Sequence, residues 1–188
     1  MPDPNPAALD FLLNRRSRPA KTLTTPVPDD TTLRTLLTAA ARTPDHGKLE
    51  PWRFVVLRKA ALTRLAQAVV EHGGDPEKVE KMRVQFANAD LAIMVVASPK
   101  PSEKIPEIEQ IYSAGAVCLA LVNAGLASGW GANWLSGWAS HDAAFAQAHL
   151  GLAPHEKVAG FIHLGTETNA PPERPRPDLD AITTWVDA

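Results

Sequence analysis

Cysteine is nearly absent from this chain of 188 residues: Cys118 stands alone. A single thiol closes no internal disulfide and builds no cysteine-based zinc site. A dominant charge is missing too. Nineteen Lys and Arg against 21 Asp and Glu leave a net charge of −2 and a pI near 6.3, so there is no basic footprint for nucleic acid. The longest apolar stretch, 114–127, is broken by Asn123 and Gly125 and is short for a bilayer span. The opening Met1-Pro2-Asp3-Pro4-Asn5 has neither the basic region nor the apolar run of a secretory signal. These absences lead us to expect one cytoplasmic domain, residues 1–188, with neither nucleic acid nor membrane as partner.

Several sites with strong sequence signatures are missing as well. There is no G-x-x-x-x-G-K-[ST] phosphate loop, and no G-x-G-x-x-G between a strand and a helix. No G-x-S-x-G elbow surrounds a serine. The six histidines lack H-E-x-x-H spacing, and His141, His149 and His155 are too scattered to favour a metal cage.

What the chain does have is proline (17) and tryptophan (5), with the prolines gathered towards both ends as in extended arms. Asn5-Pro6 reads as an N-cap and first helical position, and Asp29-Asp30 starts a second helix ending near Arg42. Helical spacing recurs over 60–71, from Asp75-Pro76 to Phe86, over 108–127, and from Asp142 to Leu150. Strands are expected at 54–57, 91–96, 131–135 and 157–164; the second is apolar on both faces and therefore central. Without regular βαβ alternation, an α+β fold is expected. Beyond Gly165 the chain reads as a polar, proline-rich arm, about 166–188. The apolar Ile182 and Trp185 suit packing on a partner subunit better than a frayed tail.

Three segments could carry chemistry. In Asn14-Arg15-Arg16-Ser17, two forked guanidiniums and a hydroxyl could grip a phosphate, or the cations could simply complement a helix C-terminus. The polar loop from Arg42 to Trp52 holds Asp45-His46 between a helix and a buried strand, although a lone exposed histidine is more often without a role. Between Gly129 and Trp138, three tryptophans among small residues could wall an aromatic ligand or pack a core or interface. Cys118, among apolar neighbours, reads as a small core residue.

Taken in order, Arg15-Arg16-Ser17, the Pro44-Asp45-His46 loop ending Pro51-Trp52, the small-residue helix 108–127, Trp134-Leu135-Ser136-Gly137 and the final strand ending Leu164-Gly165 resemble the nitroreductase family of flavoproteins. The likeness is strongest to its small YdjA-like branch. It implies a mostly antiparallel sheet flanked by helices, in an intertwined homodimer with an exchanged terminal arm. By that resemblance Arg15, Arg16, Ser17, Trp134, Leu135 and Ser136 would bind FMN, and Arg42 and His46 would reach it from the other subunit. Ala124, Gly125, Leu126, Ala127, Ser128 and Gly129 match the stretch that takes NAD(P)H as co-substrate. The implied activity is hydride transfer from NAD(P)H through FMN to nitroaromatic, quinone or similar acceptors by a ping-pong scheme, the cofactor rather than a protein residue carrying the chemistry. A flavin-binding or storage protein with little turnover, and a specialised flavin dehydrogenase or dehalogenase, are the alternatives. Glu50 departs from the family's usual glutamine and is expected to point away from the flavin. Leu135 stands where arginine is common, which leaves only a backbone contact there.

Overall fold

Every residue from Leu91 to Ala97 is apolar, and in the computed structural model of the chain, which describes residues 3–186, all seven are buried as strand β3. Strand β2 (Trp52–Arg58) flanks it antiparallel on one side and β5 (Lys157–Glu167) on the other, with a register shift between Val95 and Val96. The long β5 also pairs antiparallel with β4 (Gly131–Leu135) and with the two-residue β1 (Leu23–Thr24).

Side-chain alternation along β3 feeds two cores. Ala92, Met94 and Val96 join one with α3 (Lys59–His72), α4 (Pro76–Ala87) and α6 (Ala143–His149). Leu91, Ile93 and Val95 join the other with α2 (Asp30–Ala40) and α5 (Glu107–Ala127). Helices on both faces of an antiparallel sheet make the α+β arrangement. Side-chain caps start the helices where expected: Asn5, Asp29, Asp75 and Asp142 accept from the backbone N–H groups of Ala8, Thr32, Lys78 and Phe145.

Helix α5 is long and apolar enough to cross a membrane by length and composition. It instead seats Ala114, Val117, Cys118, Leu121 and Val122 in the core. Gly125 lets it come close to the sheet, since a Cβ there would lie 2.7 Å from Leu164 Cδ2 and 3.2 Å from Ala132 Cβ.

Two details sharpen the sequence expectations. Strand β5 runs on through Thr166 and Glu167, which pair with Thr24 and Leu23, so the arm starts just past them. Of the two open readings for the tryptophans, packing holds for Trp134 and Trp138. Trp138 stacks on His72 and meets Phe145 edge-on in the α3–α6 core, whereas Trp134 lies over Gly160 on β5. Past Glu167 the described part of the arm holds one short helix, α7 (Leu179–Ile182), with Leu179, Ile182, Trp185 and Val186 exposed. Helix α1 (Pro6–Asn14) buries none of its residues and exposes Leu9, Leu12 and Leu13.

Candidate functional site

Where α1 ends, Arg15 turns extended (ψ 142) and its N–H donates to Phe11 O, so the next residues run along the edge of β4. The N–H of Arg18 donates to Ala132 O and the Asn133 amide to Arg18 O, which anchors the segment. Arg15 Nη2 donates to Ser17 Oγ at 2.9 Å and Arg16 Nη1 to Ser17 O at 3.2 Å. Both Nε atoms are buried with no hydrogen-bond partner among the described residues.

Arg174 and Arg176 arrive from the C-terminal arm, and Arg176 Nη2 donates to Arg15 O at 3.4 Å. Arg15, Arg16, Ser17, Arg174 and Arg176 line a cleft of about 490 Å³. Burial, then Arg176 and Arg16, lower the affinity of the Arg15 guanidinium for its proton. Crowded cations with idle N–H donors make a site that favours an anion, and forked guanidiniums suit phosphate. Arg174 and Arg176 were not found from the sequence: Arg-Pro-Arg-Pro in a polar arm reads as solvated chain, and nothing local ties it to residues 160 positions earlier.

A second cleft of about 400 Å³ adjoins the first through Arg15 and Arg16 and is lined also by Phe11, Leu126, Gly129 and Trp130. Two of the six residues matched to the nicotinamide nucleotide therefore lie beside the arginines. Ala127, Ser128 and Gly129 are exposed at the end of α5, while Gly125 faces inward against the sheet.

Arg42 and His46 lie elsewhere. Arg42 is exposed just past α2, and the following loop is fastened to the first half of α5, where Ser113 Oγ donates to Pro44 O at 2.7 Å. His46 Nδ1 lies 2.7 Å from Glu109 Oε2. Glu50 is solvent-exposed, and its N–H donates to Asp45 Oδ2. Trp134, Leu135 and Ser136 close β4 between these two regions; the Trp134 Nε1–H donates to Ala159 O at 3.2 Å, Leu135 is half-buried and Ser136 is exposed. The arginine cluster thus sits at the C-terminal end of α5 and the histidine loop at its N-terminal end. A helix of 21 residues is about 30 Å long.

The model of the Nitroreductase family matches residues 12–166. YdjA of Escherichia coli K12, provisionally named an NAD(P)H nitroreductase, is 36% identical over 163 residues, covering 85% of this chain and 87% of that protein. A Haemophilus influenzae protein under a similar provisional name is also 36% identical, over 164 residues, covering 85% and 88%. Among solved structures, the nitroreductase-like family protein of Bacillus cereus has a TM-score of 0.83 at 21% identity over the whole of both chains. A provisionally named nitroreductase from Desulfovibrio desulfuricans, solved in complex with FMN, has a TM-score of 0.74 at 22% identity over 98% of each chain.

Proposed function

The chain belongs to the nitroreductase family, and from that premise we propose that it is an FMN-dependent NAD(P)H oxidoreductase working as a homodimer with shared cofactor sites. The observation that carries the reading is the cation cluster of Arg15, Arg16, Arg174 and Arg176 with its two idle Nε donors. Its charge and geometry fit the phosphate of FMN, the cofactor found in the Desulfovibrio relative.

Arg15 and Arg16 hold the phosphate, and Ser17, already engaged by both guanidiniums, is oriented as a further hydroxyl contact. Arg174 and Arg176, the latter paired with Glu173 at 2.7 Å, would add positive charge from the arm. Trp134, Leu135 and Ser136 border the cofactor from the end of β4. Leu126 and Gly129 offer NAD(P)H an approach beside the phosphate. When bound, FMN supplies the redox chemistry, taking hydride from NAD(P)H and passing electrons to a flat, easily reduced acceptor such as a quinone or nitroaromatic.

The separation along α5 supports the dimer. That Arg42 and His46 serve the same flavin as Arg15 is best met from a second chain, because about 25 Å of helix separates Glu109, which meets His46, from Leu126, which lies beside the arginines. An isologous two-fold contact across α5 brings the His46 end of one copy to the Arg15 end of the other. Ile108, Tyr112 and Leu119 form an exposed apolar stripe on α5, and α1 leaves Leu9, Leu12 and Leu13 exposed. An exposed apolar stripe of this kind suits an interface.

The test is the visible spectrum of the purified protein, followed by anaerobic NADPH, then NADH, then a quinone. Bleaching by a nucleotide and recovery with the quinone support the reading. A flavin that does not bleach removes the NAD(P)H step, and a protein that cannot be loaded with FMN removes the function. Replacing both arginines (R15A/R16A) should release FMN while thermal unfolding stays cooperative. Stoichiometric flavin in that variant would overturn the phosphate assignment.

A further inference from the structure

The loop carrying His46 is held more firmly than a solvent-exposed turn requires. Pro44 O accepts from Ser113, and Asp45 Oδ2 accepts the Glu50 N–H at 2.8 Å. Gly47 (φ 75) leaves its side-chain space to Ile105, and Lys48 (φ 55) and Glu50 (φ 49) both adopt the left-handed conformation that side chains disfavour. Unfavourable backbone persists where the surroundings over-determine it, and such segments gather at functional sites.

At the tip of this loop His46 meets Glu109, 63 residues away on the first turn of α5, with Nδ1 2.7 Å from Oε2. The two side chains are 62% and 45% exposed, so burial does not force them together. An exposed pair of this kind adds little to stability. Asp45 accepts the Glu50 N–H, and Glu107 pairs with Lys157 Nζ at 3.3 Å. Among the described residues, Glu109 is the carboxylate within hydrogen-bond reach of the imidazole.

We propose that Glu109 is a positioning residue for His46, fixing its proton on Nδ1 and turning Nε2 outward to the FMN held by a second copy of the chain. The inference rests on the shared-flavin reading above. Its physics is that of a ligating histidine whose second nitrogen is hydrogen-bonded to a carboxylate: tautomer and ring orientation are set by the outer partner. Arg42 and Lys48, exposed on the same segment, complete the charged surroundings. The bond to the first turn of α5 sets the ring orientation before the cofactor arrives.

Two readouts test it, one of them independent of flavin. In the flavin-free protein, ¹⁵N NMR of the neutral His46 ring should report the Nδ1–H tautomer. Glu109→Ala should shift it towards Nε2–H, and Glu109→Gln, which keeps an acceptor, should retain the native tautomer. In FMN titrations E109A should weaken binding about tenfold, in line with loss of an outer-shell partner. E109Q should stay near wild type, and E109A should add nothing in a His46→Ala background. An unchanged tautomer in E109A, or additive losses in the double variant, would overturn the role of Glu109. A wild-type protein that binds no FMN overturns the shared-flavin reading and this one together, whereas FMN binding indifferent to E109A overturns only this one.

Discussion

His163 is the residue whose environment fits its chemistry least. It lies on β5 opposite Ala92 and Asn133, 2% exposed, and Nε2 has no hydrogen-bond partner among the described residues. Burial pushes its affinity for a proton down to a pKa of about 4 from the usual 6.5. The ring is neutral in the fold, while the unfolded chain takes up a proton below 6.5. The unfolded state is therefore favoured as pH falls from about 6.5 to about 4, and the full contribution is present above that window. Between pH 7 and pH 5 this should cost about 2 kcal/mol of stability. Urea unfolding at the two pH values checks it, and His163→Phe should flatten the difference; an equal pH dependence in wild type and variant would assign the loss to other groups. Cys118 shows the opposite response to the same cause. Its thiol is pushed up to about 12 by burial, which removes the thiolate and with it the reactivity of the chain's single cysteine.

At the scale of elements, one ion pair crosses the sheet. Arg53 on β2 donates from Nε and Nη2 to the two carboxylate oxygens of Glu156 at 2.7 and 2.6 Å. The same guanidinium reaches Gly151 O, and the Ala153 N–H donates to Glu156. Since β2 and β5 lie on either side of β3, this fork ties the loop before β5 to the far strand. Hydrogen bonding from Arg53 holds the Glu156 carboxyl down at about 2. Its contribution is complete above the usual carboxylate range near 4.5 and fades as pH falls towards 2. Glu156→Gln should cost about 2 kcal/mol at pH 7, the scale of a charge-assisted pair, and should erase that part of the acid sensitivity. Chemical unfolding at pH 7 and pH 3 reads both. The elements themselves were legible where local rules decide. Pro76 after Asp75, the uninterrupted apolar run at 91–97 and the helical spacing on α5 each left few competing conformations. Leu23 and Thr24 were not legible as a strand, because two residues carry no period and the pairing depends on Glu167 at the far end of the chain. The division of Trp134 and Trp138 between opposite sides of the sheet likewise depends on packing. The Arg15-Arg16-Ser17 half of the candidate site was readable as a cation cluster, whereas its Arg174 and Arg176 half lies in an arm whose sequence resembles a linker.

At the scale of the whole molecule, the arginine cluster and the histidine loop lie at opposite ends of α5, and the proposed shared site takes one from each chain. Complementation between subunits follows from this arrangement. The R15A/R16A variant keeps the histidine loop, and the R42A/H46A variant keeps the arginine cluster. Each variant alone forms dimers in which both sites lack one half. A mixed dimer pairs the intact arginine cluster of one chain with the intact histidine loop of the other, restoring one whole site and leaving its second site deficient on both sides. Random mixing makes about half of the dimers mixed, so co-expressed variants should hold about one FMN per four chains while each alone stays nearly colourless. Differently tagged chains, purified through both tags, should raise this to about one FMN per dimer. NADPH oxidation should return in the same proportion, because a restored site contains the Leu126 and Gly129 cleft of the chain with the intact arginines. Mixed dimers no more yellow than either parent would place both halves of the functional site within one chain. The separation along α5 would then have to be explained by two ligands rather than by one shared between subunits.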